Sequence, residues 1–295
     1  MHSAPLKRAL ILGGTRYFGK RLVQALLGEG TQVTIVTRGI LAHLPAANVT
    51  HIAADRENTP VLKQALANAG EWDVIFDNIC YSSNDAAAAC EIFKNRTRRY
   101  VHTSTQSIYI SMGRQRESDF DPYKHKIRLG GRADFDYGEA KRQAEAVFFQ
   151  RADFPVSAVR IPIVAGPDDY TGRLNFHIDR VKSGRVLVIP NLAAETCFIS
   201  SAEAALFLRW CADQSFTGPV NACADGRISI GKIIGLIEQA AGTRANIKPT
   251  GSEADHSPFV GGNSRYLDNS HARELGFEFS SLESWLPQLI TAAGS

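Results

Sequence analysis

The stretch I-L-G-G-T-R-Y-F-G-K, Ile11 to Lys20, decides the fold. It follows the short apolar run Leu10–Leu12, which reads as a strand, and it leads into Phe18–Leu27, whose apolar residues recur at helical spacing. Gly13, Gly14 and Gly19 therefore stand where a strand turns into a helix. Glycine there permits a tight turn and lets backbone N–H groups approach a pyrophosphate at the positive end of the helix. The β-branched strand Q-V-T-I-V-T, Gln32–Thr37, completes a βαβ opening. In that context the loop reads as a dinucleotide site and not as a bare turn, although Arg16 stands where a G-x-x-G-x-x-G spacing would carry its middle glycine.

Outward from this turn, strands and helices keep alternating. His51–Ala54 is followed by a helical stretch Val61–Ala69, the strand W-D-V-I-F-D (Trp72–Asp77), an alanine-rich helix Asp85–Phe93 and the strand R-Y-V-H-T-S (Arg99–Ser104). Such alternation predicts a parallel sheet covered on both faces. A helix containing Tyr137, the strand P-V-S-A-V-R-I (Pro155–Ile161) and the turn A-G-P-D-D-Y-T-G (Ala165–Gly172) come next. The remaining third is mixed, with helices expected at Ala202–Cys211, at Ile230–Ala241 after Ser229, and around Trp285–Ile290. Arg38 directly follows the second strand, where a carboxylate would bond the adenosine ribose of NAD. An arginine there can pair with a 2′-phosphate instead, and Arg16 could reach the same group, so NADP is favoured with NAD as the alternative. Asp55, past the third strand, reads either as an acceptor for the adenine amino group or as a turn cap.

The chemistry is carried by Y-G-E-A-K. Tyr137 and Lys141, four residues apart, share one helix face, so the ammonium can sit beneath the phenol and favour its ionised form. An ordinary phenol titrates near pH ~10 and is a poor base at neutrality, so the pairing reads as a proton-transfer catalyst. The strand Y-V-H-T-S-T-Q-S-I-Y ends in the hydroxyls of Thr103, Ser104, Thr105 and Ser107, at the carboxyl edge where open α/β sheets bind ligands. A hydroxyl opposite the phenol would orient a substrate carbonyl or alcohol.

Composition narrows the class. The chain has 295 residues, 44% hydrophobic and 21% charged, enough for one large domain or two unequal ones. A net charge of +3 argues for neither nucleic acid nor membrane, and the local cluster Arg114, Arg116, Lys124, Lys126, Arg128 and Arg132 reads as a solvated or substrate-facing loop. Five scattered cysteines without a C-x-x-C pair indicate no disulfide framework and no metal site, and fit a reducing compartment. The first ten residues lack a signal-peptide pattern and no apolar run approaches ~18 residues, so a cytoplasmic protein without membrane spans is expected.

With these motifs in place, the chain resembles the short-chain dehydrogenase/reductase superfamily in its extended or atypical NAD-dependent epimerase/dehydratase branch. The resemblance runs through G-G-T-R-Y-F-G, T-S-T-Q-S-I-Y, Y-G-E-A-K, R-I-P-I-V-A-G-P-D-D (Arg160–Asp169), F-I-S-S-A-E-A-A (Phe198–Ala205) and L-D-N-S-H-A-R-E-L-G-F (Leu267–Phe277). It implies an α/β fold, a Rossmann-type doubly wound parallel sheet with a small mixed C-terminal substrate domain. The NAD(P)-binding part would cover residues 1–165 with 191–225 returning to it, and residues 166–190 and 226–295 would bind substrate. It further implies a catalytic set of Tyr137, Lys141 and a strand-end hydroxyl, which the family's S-S-x-x-V-Y spacing places on Thr105, with Ser104 as the alternative. Gly13, Gly14, Thr15, Arg16, Tyr17, Phe18, Gly19, Arg38, Asp55, Thr103, Tyr137, Lys141 and Ile163 would line the cofactor. Cys80 would lie near its ribose, although Cys80 reads as a buried small apolar residue and not as a reactive thiol. By position after the G-P-D-D turn, Tyr170, Arg173 and His177, together with Ser107, are assigned to the substrate side, each reading equally as surface or packing.

The reaction implied is hydride transfer on a sugar-like or other small hydroxylated or carbonyl substrate, by an oxidoreductase or an epimerase/dehydratase. Glu195, Thr196 and Cys197 stand where many sugar-nucleotide enzymes carry an arginine, which sets a nucleotide-sugar substrate in question. The rival reading is a non-catalytic NADP-sensing or RNA-associated protein, as the GGTR-type turn resembles RNA-associated members; the intact Thr105, Tyr137 and Lys141 speak against it. A homodimer through the helices after the fourth and fifth strands is expected by resemblance alone.

Overall fold

The structure is a computed structural model in which residues 6–40, 48–259 and 262–294 are described. Its strands are β1 (Arg8–Leu12), β2 (Gln32–Thr37), β3 (Thr50–Ala53), β4 (Val74–Asp77), β5 (Tyr100–Thr105), β6 (Gly113–Gln115), β7 (Val156–Ile161), β8 (Ile163–Ala165), β9 (Val186–Val188), β10 (Glu195–Thr196), β11 (Phe198–Ser200), β12 (Gly218–Asn221), β13 (Ile228–Ser229), β14 (Asn246–Lys248) and β15 (Arg265–Leu267). Its helices are α1 (Tyr17–Gly28), α2 (Thr59–Ala65), α3 (Ser83–Ile92), α4 (Tyr137–Arg151), α5 (Arg173–Lys182), α6 (Ser201–Cys211), α7 (Ile230–Ala241), α8 (Ser270–Glu274) and α9 (Leu282–Gly294). They form two compact units: Met1–Tyr109 with Glu117–Ile161 and Ala204–Asn221, and Ile110–Arg116 with Pro162–Glu203 and Ala222–Ser295.

The first unit is built on a seven-stranded parallel sheet in the order β12-β7-β5-β4-β1-β2-β3. The chain starts in the middle at β1, runs outward to β3, then resumes at β4 on the other side of β1. That reversal opens a crevice beyond the carboxyl ends of β1 and β4, the usual ligand position in such sheets. Residues of β4, β5 and β7 are buried without alternation, because helices cover both faces. This is the Rossmann-type doubly wound architecture expected from sequence. Helix starts follow local chemistry: Ser82 accepts from Asp85 N at α3, Asp136 from Glu139 N at α4, and Asn58 from Val61 N at α2. The Asn58 cap and Pro60 in the first turn start α2 at Thr59 and it ends at Ala65, so the helix is displaced from the expected Val61–Ala69.

Residues 117–131 lie along α4 as a strap. Gln143 accepts from Arg128 N at 2.6 Å and donates to Lys126 O at 3.1 Å, Gln150 donates to Pro122 O and His125 O, and the Tyr123 ring packs tilted against Phe149 with centroids 5.0 Å apart. The strap explains why α4 is buried on nearly every side from Ala140 to Phe148.

The second unit has a four-stranded mixed sheet, β13-β10-β15-β6, and two parallel pairs, β11-β8 and β14-β9. Its core is a convergence of three helical stripes: Leu174, Ile178 and Val181 of α5, Ile233, Ile234 and Ile237 of α7, and Leu286 and Ile290 of α9.

Candidate active site

At the β1–α1 turn, Gly13 and Gly14 adopt φ values of +98° and +96°, a region open to glycine and strained for other residues. A Cβ on Gly19 would lie 3.0 Å from Gly14 Cα, so the first turn of α1 packs directly on the loop. No side chain caps α1 at Arg16, whose own side chain is exposed. Tyr17, in the first helical position, is buried and takes a φ of +53°, a strained backbone for a non-glycine residue. Thr15 and Phe18 are half-buried on either side of it. Asn78, just past β4, touches this turn: a Cβ on Gly13 would meet its Cβ at 3.5 Å, and one on Gly19 its Nδ2 at 3.3 Å. Asn78 accepts from Thr103 Oγ1 at 2.8 Å, and its shielded Nδ2 has no partner. Glycines without Cβ atoms, an uncapped helix N-terminus and a shielded amide donor together fit a pyrophosphate-bearing dinucleotide.

The end of β5 divides its side chains by strand alternation. His102 and Ser104 face α4: the His102 ring lies 5.0 Å from Phe148, and Ser104 Oγ donates to Glu145 Oε1. Thr103 and Thr105 face the other way, Thr103 toward Asn78. Thr105 Oγ1 accepts from Ser107 N at 3.2 Å and keeps its hydroxyl proton to donate. The register separates the two candidate hydroxyls: Ser104 is spent on a buried carboxylate, and Thr105 is not.

Helix α4 brings Tyr137 and Lys141 to that strand end. A Cβ on Gly138 would come 2.6 Å from Ser107 O, so glycine lets the first turn of α4 press against the 106–108 turn, and Arg142 Nη1 donates to Ile108 O at 2.9 Å. Tyr137 is 50% exposed, whereas Lys141 is only 1% exposed. The Lys141 ammonium donates to Cys80 O at 2.8 Å and Thr103 O at 2.7 Å and lies 5.4 Å from the Tyr81 ring centre. Two of its three donors are thus fixed by backbone carbonyls and the third remains.

Beneath the strand end lies a buried polar cluster that sequence reasoning missed. Arg160 of β7, next to Ser104 in the sheet register, gives Nε and Nη2 to Glu145 at 3.1 and 2.6 Å. Its remaining donors go to Tyr109 Oη, Glu117 O and Phe120 O, so all five N–H groups are satisfied. Tyr109 in turn donates to Asn221. Burial alone would lower the affinity of Arg160 for its proton, but the Glu145 carboxylate outweighs it and raises the guanidinium further; burial likewise pushes the Tyr109 phenol up. The sequence signal was a charged residue inside the buried run V-R-I.

Other assignments fare differently. The Cys80 side chain is buried in the core, donates to Ser82 O at 3.7 Å and has its thiol pushed up by burial, so this residue meets the site through its carbonyl alone. Asp55 is exposed and accepts from Glu57 N, the turn-cap alternative. Arg38 is exposed beyond β2. Ser107 is exposed, and its carbonyl faces Gly138.

In the second unit, Ile163 and Arg173 line one small cleft with Asp169, Phe198 and Phe259, and Tyr170 is exposed. His177 meets the packing alternative of its reading: it is fully buried, Nδ1 donating to Arg173 O and Nε2 accepting from Ser257 Oγ, with its ring stacked 4.2 Å from Phe259. Burial holds its imidazole down at about 4, which keeps it neutral. The basic cluster is largely paired: Arg114 and Arg116 on Asp268, Lys124 on Asp121, Arg128 near Glu139 and Arg132 over Tyr81. Among the described residues no group of His, Cys, Asp and Glu could hold a metal, and no helix is long and apolar enough to cross a membrane.

Comparison with known proteins places this geometry. The chain is 26% identical over 198 residues to the chloroplast stem-loop binding protein of 41 kDa b of Arabidopsis thaliana, covering 63% of this chain and 49% of that one. It is 30% identical over 119 residues to the 2-alkyl-3-oxoalkanoate reductase of Shewanella oneidensis, covering 36% and 30%. The matches therefore span about half or less of these relatives. Similar solved structures include the UDP-glucose 4-epimerase of Thermotoga maritima (TM-score 0.72, 16% identity, 96% and 97% of the two chains) and the UDP-glucuronic acid 4-epimerase of Bacillus cereus in complex with NAD (0.70, 16%, 97% and 94%). At such identities the likeness is one of fold. The profile of the NAD dependent epimerase/dehydratase family matches residues 9–221, and this chain belongs to that family.

Proposed function

We propose that the protein is an NAD(P)-dependent enzyme that oxidises, reduces or epimerises a small hydroxylated or carbonyl substrate, with the first unit holding the dinucleotide and the second forming the substrate side. The observation that carries this reading is the pairing of an exposed Tyr137 phenol with a buried, carbonyl-anchored Lys141 on the helix pressed against the Thr105 strand end. The glycine turn and Asn78 would hold the pyrophosphate, and Lys141 the nicotinamide ribose through its remaining donor. A bound nicotinamide would supply or accept hydride. The chain's part is the proton: Tyr137 Oη gives it to, or takes it from, the substrate oxygen, while the Thr105 hydroxyl donates to that oxygen and fixes its direction.

Arg38 and Arg16, both exposed at the adenosine end, favour NADP, with NAD as the alternative. The name of the Shewanella relative supports a reductase of oxo acids, and those of the structural neighbours support sugar epimerisation. The Arabidopsis relative's name supports stem-loop binding, against which the Thr105, Tyr137 and Lys141 set speaks as in the sequence reading.

Titration of cofactor-stripped protein with NADPH and NADH tests the reading. Tyr137→Phe should bind dinucleotide normally yet lose at least about 100-fold in turnover with any accepted carbonyl. Normal turnover in that variant, or no dinucleotide binding by the wild type, would refute it. Weaker NADPH binding in Arg38→Ala, with NADH unchanged, is the expected sign of a 2′-phosphate contact.

A further inference from the structure

Lys141 hangs from two carbonyls of unequal firmness. Thr103 O lies in a central strand, but Cys80 O belongs to the segment Asn78–Ser82, between β4 and α3, whose first residue still donates Asn78 N to Leu12 O of β1 at 3.1 Å and whose remaining residues lie outside the sheet. Asp77 adds a hold beyond Asn78. Its Oδ1 accepts from Ile79 N at 3.2 Å, and its Oδ2 accepts from Arg56 Nη2 and Tyr100 Oη, both at 2.5 Å. Asp85 Oδ2 adds a second hold on Tyr81 N at 3.1 Å.

Arg56 is 3% exposed and, unlike Arg160, leaves two of its nitrogens, Nε and Nη1, without partners. A buried ion pair with unsatisfied donors contributes little net stability, and apolar replacement of such pairs is often neutral. What the pair does deliver is a fixed carboxylate at the root of the loop. We propose that Arg56 and Asp77 are positioning residues that place Lys141, by holding the Asn78–Ser82 segment so that the Cys80 carbonyl meets the ammonium. The role rests on the reading of Lys141 as the residue that binds the nicotinamide ribose.

The test uses the full chain with Arg56→Met, Arg56→Lys, Lys141→Met and the double variant Arg56→Met/Lys141→Met. Acylation of Lys141 by a water-soluble ester, followed by peptide mass spectrometry, needs no cofactor. Loss of one charge-assisted hydrogen bond at Asp77 should speed it about tenfold in Arg56→Met, with the exposed Lys94 unchanged as the internal reference and Arg56→Lys restoring most of the protection. Dinucleotide titration should show Arg56→Met weakening binding about tenfold, and no further loss when the same change is made in Lys141→Met. Unchanged Lys141 labelling, or losses that multiply in the double variant, overturns the proposal. If Arg56→Met does not fold, Arg56→Lys carries the same cycle with a smaller effect. Wild-type protein that binds no dinucleotide defeats the functional reading, while the labelling still decides whether Arg56 places Lys141.

Discussion

Replacing Glu145 by glutamine keeps the side chain's size and one of its oxygens but removes its charge. In the structure Glu145 and Arg160 are both 0% exposed, and the carboxylate accepts from Arg160 Nε and Nη2 and from Ser104 Oγ. The amide would turn an NH2 group toward a guanidinium or a hydroxyl, and leave the Arg160 cation buried with no counterion. Breaking a buried pair from one side costs about 3–5 kcal/mol. That is a large share of the roughly 5–15 kcal/mol by which domains are stable. Ser104→Ala removes only one bond to the same carboxylate, and about 1–3 kcal/mol is expected.

The double change Glu145→Leu with Arg160→Met should fall between the two. It removes both charges, but Glu117 O and Phe120 O lose their donors. Urea unfolding followed by far-UV circular dichroism orders the three. A Glu145→Gln protein within about 1 kcal/mol of the wild type would refute the claim that this carboxylate carries the buried charge balance.

Acid should weaken the second unit through His177. Its folded value of about 4 lies below the ~6.5 of an unfolded histidine, so the unfolded chain binds more protons, and stability is lost as pH falls from about 6.5 toward 4, by up to about 3 kcal/mol. His177→Gln should flatten that slope, and an unchanged slope would sink the assignment. Gly19→Ala places a methyl 3.0 Å from Gly14 Cα, so the β1–α1 turn must open; dinucleotide affinity should fall at least about tenfold with far-UV dichroism retained, and wild-type affinity would mean that the turn does not hold the ligand. Gln143→Ala frees the strap's Arg128 N and Lys126 O, and trypsin should then cut within residues 124–128 faster than in the wild type; equal rates would show that the strap is held elsewhere.

Much of the first unit was legible because its signals are local. Apolar runs of strand length, β-branched enrichment and helical periodicity depend on near neighbours along the chain. The G-G-T-R-Y-F-G turn and the four-residue spacing of Tyr137 and Lys141 are local as well. By contrast β6, β8 and β9–β11 are two or three residues long and pair with strands distant in sequence, β8 with β11 and β6 with β15. No period can declare itself in so few residues.

What the sequence by itself determined is the order of alternating strands and helices, the site of the glycine turn and the residue types available for proton transfer. Only the tertiary structure distinguishes the surroundings of Ser104 and Thr105, because a carboxylate 41 residues away accepts from the Ser104 hydroxyl. It likewise brought Arg56 onto Asp77, and the Cys80 carbonyl onto the Lys141 ammonium. The physical reason is the same in each case: hydrogen bonding and burial depend on which groups meet in space, and chain spacing constrains that meeting only within a single element.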